Sequence, residues 1–173
     1  DDSYRKPGSI GRPMMFTEVE LRDLDGEVGE MYIRGPHVSL GYWNNAAATA
    51  ECYLDGGWFR TGDLARRDED GFFYIAGRCK EMFITGGVNV YPAEIEAELV
   101  QHPSVADAAV VAIPDDKWGE VGVAYVVARD VSADDLVSYL ADRLAKYKVP
   151  KRFVFVDSLP RTPYGKVEKG KLR

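Results

Sequence analysis

Two textures of hydrophobic patterning divide this chain. Polar and apolar residues alternate through Glu18-Val19-Glu20-Leu21-Arg22 and again through Glu30-Met31-Tyr32-Ile33-Arg34. With Asp25-Gly26 between them, the two runs predict a β-hairpin whose connection is longer than two residues. Residues 58–64 and 72–75 predict further strands around the charged turn Arg67-Asp68-Glu69-Asp70-Gly71. Asn45 is placed to cap a short helix over residues 46–51, which Gly56-Gly57 should stop. Up to this point the pattern is mostly β, broken at its start by Pro7, Gly8, Gly11 and Pro13 into an extended connection over residues 1–13.

Beyond residue 80 the period changes. Pro92 suits the first turn of a helix in which Ile95, Leu99 and Val100 recur at helical spacing, ended by His102-Pro103. Apolar runs at 105–113 and 121–128 predict strands separated by a polar loop over 114–120. Ser132 with Asp135 resembles a capping box, and opens a helix placing Leu136, Tyr139, Leu140 and Leu144 on one face until Val149-Pro150 breaks it. Residues 153–156 predict a third strand, followed by a loop punctuated by proline and glycine that carries Lys166. The fold class is therefore α+β. A β-rich, barrel-like subdomain occupies residues 1–78, a junction 79–81, and a small α+β domain with a three-stranded sheet 82–173.

Composition narrows the function. A net charge of −6 over 173 residues excludes a general polyanion binder and argues against nucleic acid as a partner. Basic residues nevertheless crowd the last 28 positions, from Lys146 through Lys148, Lys151, Arg152, Arg161, Lys166, Lys169, Lys171 and Arg173, so a local anion site is expected there. Cys52 and Cys79 form neither a disulfide framework nor a zinc pattern, and no apolar run approaches the roughly 20 residues of a membrane span. A cytoplasmic setting is expected. His37 and His102 lack metal-ligand spacing and a nearby nucleophile, and read as structural.

Four stretches can carry chemistry. Asp63, directly after Gly62 at a strand end, is either an Asx turn or a carboxylate whose two oxygens receive a vicinal diol. Gly77-Arg78-Cys79-Lys80-Glu81 is either a solvated turn or an anion contact at Arg78 with a pivot at Lys80. Gly86-Gly87 lacks the spacing of a phosphate loop, leaving a structural turn or a narrow channel along exposed backbone. Lys166, in Pro160-Arg161-Thr162-Pro163-Tyr164-Gly165-Lys166, is a point charge on a long stem, either a tail cation or a partner for a phosphate and a carboxylate together. Trp118 and Tyr147 are either packing aromatics or platforms for a base.

The order of these strings, together with Gly35-Pro36, Gly41-Tyr42-Trp43 and Gly86-Gly87-Val88-Asn89-Val90-Tyr91-Pro92-Ala93-Glu94-Ile95-Glu96, resembles the adenylate-forming enzymes. That superfamily comprises acyl-CoA synthetases, aryl-CoA ligases, luciferases and peptide-synthetase adenylation domains. The resemblance implies ATP, Mg2+ and CoA as cofactors and a small carboxylic acid as substrate. It implies Asp63 and Arg78 at the nucleotide, Lys80 as hinge, Lys166 as the adenylation lysine, Gly86 and Gly87 along the pantetheine arm, and Trp118 and Tyr147 near the CoA adenine. It implies no metal ligand in these residues.

The family's phosphate loop, acyl pocket and Tyr-Gly-x-Thr-Glu string have no counterpart here. The expectation is thus the last part of a larger ligase, inactive alone, for fatty acids by preference. An aryl-CoA (4-coumarate-like) ligase or a carrier-protein adenylation module are the alternatives, and a stand-alone nucleotide- or carrier-binding module is the non-enzymatic one.

Overall fold

The computed structural model describes residues 6–172, which pack as two units dividing after Lys80. In the first unit, β1 (Glu18–Asp25) and β2 (Val28–Arg34) form the hairpin, with an irregularity between Arg22 and Asp25 that lengthens its connection. Next come α1 (Ala46–Cys52), the two-residue β3 (Tyr53–Leu54), β4 (Trp58–Arg67) and β5 (Phe73–Arg78). β4 is the hub. It pairs antiparallel with β2 on one side, and with β3 and then β5 on the other.

This is an open five-stranded sheet in the order β1-β2-β4-β3, with β5 also on β4, where the sequence suggested a barrel-like closure. The physical reason lies in β1, whose alternating Glu18, Glu20 and Arg22 make a charged edge that resists further pairing. The preceding segment lies against β5 instead, through the bridge from Gly11 to Phe73.

Tyr32, Trp58, Leu64, Ala65, Phe72 and Phe73 are buried. Guanidinium groups cover the aromatic layer: Arg22 stands 4.4 Å from the Tyr32 ring centre and 4.9 Å from that of Trp58, and Arg34 reaches Trp58 from 4.6 Å. These groups shield the rings while their charged ends stay near water. Asn45 caps α1 by accepting the Ala48 N–H, as the sequence indicates. The helix runs one residue past the predicted end, to Cys52, and is stopped by Tyr53 joining the sheet rather than by Gly56 and Gly57, which form the positive-φ turn into β4.

The second unit begins with the short hairpin β6 (Phe83–Thr85) and β7 (Val88–Val90), then α2 (Pro92–Val100). The long hairpin β8 (Val105–Asp115) and β9 (Gly119–Ala128) follows, then α3 (Ala133–Ala141) and β10 (Arg152–Phe155). β9 is central. It pairs antiparallel with β8 along its length, parallel with β10, and at Gly119 with β6. The three predicted strands are present, and β6 and β7 extend their sheet to five.

The apolar run of β8 is explained by burial on both faces. Ala108 and Val110 meet Ile95 and Leu99 of α2 and Leu136 and Leu140 of α3, while Ala109 and Val111 meet Leu159 and Leu172 of the C-terminal segment. Each fully buried leucine in such a layer contributes about 1.5–3 kcal/mol. Ser132 and Asp135 form the reciprocal capping box of α3.

Three details depart from the periodicity. Val100 is exposed at the end of α2, and α3 ends at Ala141, so Leu144 packs from the following turn. The polar loop after β8 shrinks to a tight turn because the Asp115 carboxylate accepts the Lys117 and Trp118 N–H groups, each at 2.9 Å. Among the described residues, no helix is long and apolar enough to cross a membrane.

Candidate functional site

In the first unit, register brings Asp63 and Arg78 together. The β4–β5 ladder shifts between Leu64 and Ala65, leaving Asp63 opposite Arg78 at the strand end. Arg78 Nε stands 2.7 Å from Asp63 Oδ1, and the guanidinium is half exposed. Backbone bonds fix this corner. The Thr61 hydroxyl donates to the Met31 carbonyl at 2.7 Å and accepts the Asp63 N–H at 3.0 Å. Gly62, at φ 72°, turns its carbonyl to receive the Cys79 N–H at 2.9 Å. A carboxylate and a guanidinium held side by side at a half-exposed edge offer acceptors for hydroxyls and donors for a phosphate.

Against the neighbouring Cys79 lies a group the sequence did not mark. Glu30, read only as one polar position of an alternating strand, is 5% exposed and accepts Arg60 Nε at 2.8 Å. Burial, then the Glu30 charge and a hydrogen bond to Glu30, push the Cys79 thiol up to about 11. Cys79 is therefore a neutral donor at ordinary pH and a poor nucleophile. The bond to Glu30 raises the basicity of Arg60 in turn. The only sequence signal for this cluster was an acidic residue inside a strand with a basic residue on the next one.

Lys80 is exposed and ends the first unit. In the second unit, Gly86 and Gly87 form the two-residue turn of the β6–β7 hairpin, with φ of 57° and 84°, a geometry that favours glycine at both positions. Gly86 is constrained twice, since its N–H donates to the Trp118 carbonyl at 2.8 Å and an added Cβ would come within 2.9 Å of the Trp118 ring. Gly87 faces open space. Trp118 is partly exposed, with the Lys117 and Lys151 ammonium groups 5.0 and 5.8 Å from its ring centre. Gly86 and Trp118 thus share one locus. Tyr147 is exposed on the turn after α3, and among the described residues no hydrogen bond or ring contact joins it to them.

Lys166 sits at the end of a tight loop. Thr162 N–H donates to the Lys166 carbonyl at 2.8 Å, Gly165 N–H to the Thr162 carbonyl at 2.8 Å, and Arg161 to the Gly165 carbonyl at 2.5 Å. Arg161 also pairs with Asp107 on β8. Among the described residues, the exposed Lys166 ammonium has no ion-pair partner.

Half of the described basic residues of the C-terminal stretch are neutralised. Lys148 pairs with Glu94, Arg161 with Asp107, Lys169 with Glu81 and Glu96, and Lys171 with Glu168. Of the cations expected to form a local anion site there, Lys148, Arg161 and Lys169 are met by acidic residues distant in sequence, while Lys146, Lys151, Arg152 and Lys166 have no ion-pair partner among the described residues; Arg173 lies outside the described residues. His102 serves structure, accepting the Ser104 N–H and packing edge-on against Tyr139. His37 lies beside Gly35.

This architecture is that of the C-terminal region of adenylate-forming enzymes. Residues 94–166 match the family described as AMP-binding enzyme C-terminal domain, and the chain belongs to the adenylate-forming superfamily that carries it. It is 46% identical over its full length to the long-chain-fatty-acid–CoA ligase FadD13 of Mycobacterium tuberculosis, covering 36% of that protein. It is 48% identical over 97% of its length to a feruloyl-CoA synthase of Amycolatopsis, again covering 36%. Among solved structures, the o-succinylbenzoate-CoA synthetase MenE of Bacillus subtilis, in complex with its acyl-adenylate intermediate OSB-AMP, superposes with a TM-score of 0.92 at 40% identity. That match covers 99% of this chain and 37% of MenE. The chain spans about a third of the length of the relatives it matches, and corresponds to their C-terminal part.

Proposed function

We propose that this chain is the hinge-and-lid portion of an ATP-dependent carboxylate–CoA ligase. The observation that carries the reading is the Asp63–Arg78 pair, held at the strand end two residues before Lys80. In this reading Asp63 receives the ribose hydroxyls of ATP and Arg78 faces the ribose or a phosphate. Residues 79–81 are the junction, and Lys80 is its pivot between the body (residues 1–78) and the lid (residues 82–173).

Adenylation forms a bond between a carboxylate oxygen and the α-phosphorus and breaks the bond to pyrophosphate. Two anions meet in that step, and the Lys166 ammonium lowers the barrier by lying near both as charge develops. In the second step the CoA sulfur bonds to the acyl carbon and AMP leaves with the electron pair of the C–O bond. Gly86 and Gly87 leave the backbone open beside a narrow pantetheine arm, and the partly exposed Trp118 ring offers a stacking face to the CoA adenine. Tyr147 is a weaker candidate for that face, having no described contact with Trp118. Magnesium travels with the nucleotide in this scheme. Among the described residues no cluster of three or more His, Cys, Asp or Glu side chains gathers to hold it, and no step is assigned to it.

A fatty acid is the preferred substrate, in keeping with FadD13; an aryl acid is the second reading, favoured by the comparable identity to feruloyl-CoA synthase. A cytoplasmic setting accords with the two unbridged thiols, Cys52 and Cys79. Lys166→Ala in the complete ligase tests the division of labour. Acid-dependent ATP–pyrophosphate exchange should fall by about a hundredfold or more, while thioester formation from supplied acyl-AMP persists. Equal loss of both half-reactions would refute it. The 173-residue chain alone should release no pyrophosphate, and CoA-dependent thioester formation by the complete protein separates a CoA ligase from a carrier-protein adenylation module.

A further inference from the structure

The loop that carries Lys166 is a small hairpin closed at its stem by the Glu168 N–H donating to the Pro160 carbonyl at 2.8 Å, with Arg161 bridging to Val167. One arm is anchored to the sheet by buried Leu159 and by the pair between Arg161 and Asp107. The other arm leads directly into Lys169, whose ammonium is mostly covered and pairs with two carboxylates. One is Glu96 on α2, at 2.8 Å; the other is Glu81, the residue immediately after Lys80. The same Glu96 oxygen accepts the Val110 N–H of β8 at 2.7 Å. A continuous polar chain therefore runs from the start of the second unit, through Lys169, to α2 and the central hairpin.

We propose that Lys169 is a positioning residue, which holds the Lys166 loop in register with Glu81 so that the lid turns as one body from Glu81 onward. The inference rests on the assignment of Lys166 to adenylation. Its physical basis is twofold. Lys169 is three residues from Lys166, so loss of its anchor frees the C-terminal arm of the loop, and a displacement of about 1 Å at a reacting group costs up to a hundredfold in rate. Removing its charge also leaves Glu81 and Glu96 facing one another with no cation between them, which drives them apart. Lys171, by contrast, pairs among the described residues only with nearby Glu168 and has no such reach.

The test uses the complete ligase carrying Lys169→Met, Lys169→Arg or Lys166→Ala. Lys169→Met should lower kcat for adenylation by about ten- to a hundredfold, change the KM for ATP little, and spare thioester formation from supplied acyl-AMP. Lys169→Arg, keeping the charge, should restore adenylation to within about threefold of the parent. In the 173-residue chain, amide exchange at Gly165 and Lys166 should quicken in Lys169→Met and return toward normal in Lys169→Arg.

Loss of adenylation in Lys166→Ala with none in Lys169→Met would overturn the inference and leave the Lys166 assignment standing. Unchanged adenylation in Lys166→Ala would remove that assignment itself. Equal loss of both half-reactions in Lys169→Met, or no rescue by arginine, would make Lys169 a matter of folding alone and overturn its positioning role.

Discussion

The two units handle apolar surface in opposite ways. The second encloses a sheet on both faces, with α2 and α3 on one and the C-terminal segment on the other, and its largest buried side chains, among them Ile95, Leu99, Leu136 and Leu140, are fully covered. The first relies on an open sheet whose rings are shielded by arginines, and leaves Met14, Met15, Phe16, Leu40 and Trp43 exposed, Leu40 at 99% and Trp43 at 92%. Self-sufficiency of a core and exposure of an apolar face are alternatives for the same kind of residue. In the proposed reading, these exposed apolar side chains meet the rest of the ligase body.

The comparison breaks most readily in the enclosed core. Leu140→Ala, at a fully buried position on the inner face of α3, should destabilise the second unit by about 2–5 kcal/mol. Calorimetry should show one transition falling while that of the first unit stays, and a common shift of both would mean the units unfold together. Gly86→Ala combines a positive φ with contact against the Trp118 ring, and should cost the second unit about 1–2 kcal/mol with a change in tryptophan fluorescence. Among the exposed side chains, the double variant Leu40→Ser/Trp43→Ser should move stability by less than about 0.5 kcal/mol while lowering binding of an apolar dye. A large loss of stability would show that these side chains support the unit after all.

A further effect is electrostatic, confined to acid pH, and belongs to the first unit. Desolvation alone would raise the Asp68 carboxyl, but bonds from the Phe72 N–H, Lys6 and the Tyr74 hydroxyl outweigh it and hold the group down at about 2, against an ordinary value of 3.8. A depressed carboxyl contributes stability above its unfolded value and loses it as pH falls through the folded one. The first unit should therefore weaken between about pH 4 and pH 2, and Asp68→Asn should flatten that portion of its acid melting profile. An unchanged profile would exclude Asp68 as its source.

Local chemistry was legible wherever it depended on neighbours in sequence. Asn45 and Ser132 cap as read, Pro92 opens α2, and the strand periods of β1, β2, β8 and β9 hold. Departures arose where a distant partner, or a side chain closing its own turn, decided the outcome. The basic end lost part of its charge to Glu94, Asp107, Glu81 and Glu96, far away in the chain, and the loop after β8 tightened around the Asp115 carboxylate through local bonds to the Lys117 and Trp118 N–H groups. The motif strings marked Asp63, Arg78, Gly86 and Lys166, yet gave no hint that Glu30 lies buried against Arg60 and Cys79, or that Lys169 joins Glu81 to Glu96.

Sequence alone determined the two-part α+β order, the family resemblance and the residue types available for nucleotide and thioester chemistry, because periodicity, capping and motif spacing are properties of adjacent positions. Tertiary structure alone decided the openness of the first sheet, the second strand pair in the lid sheet, and which cations of the basic end are neutralised. Those outcomes depend on which charges and edges far apart in the chain come within a few ångströms, and the strength of an ion pair or a strand ladder is set by that distance and by burial.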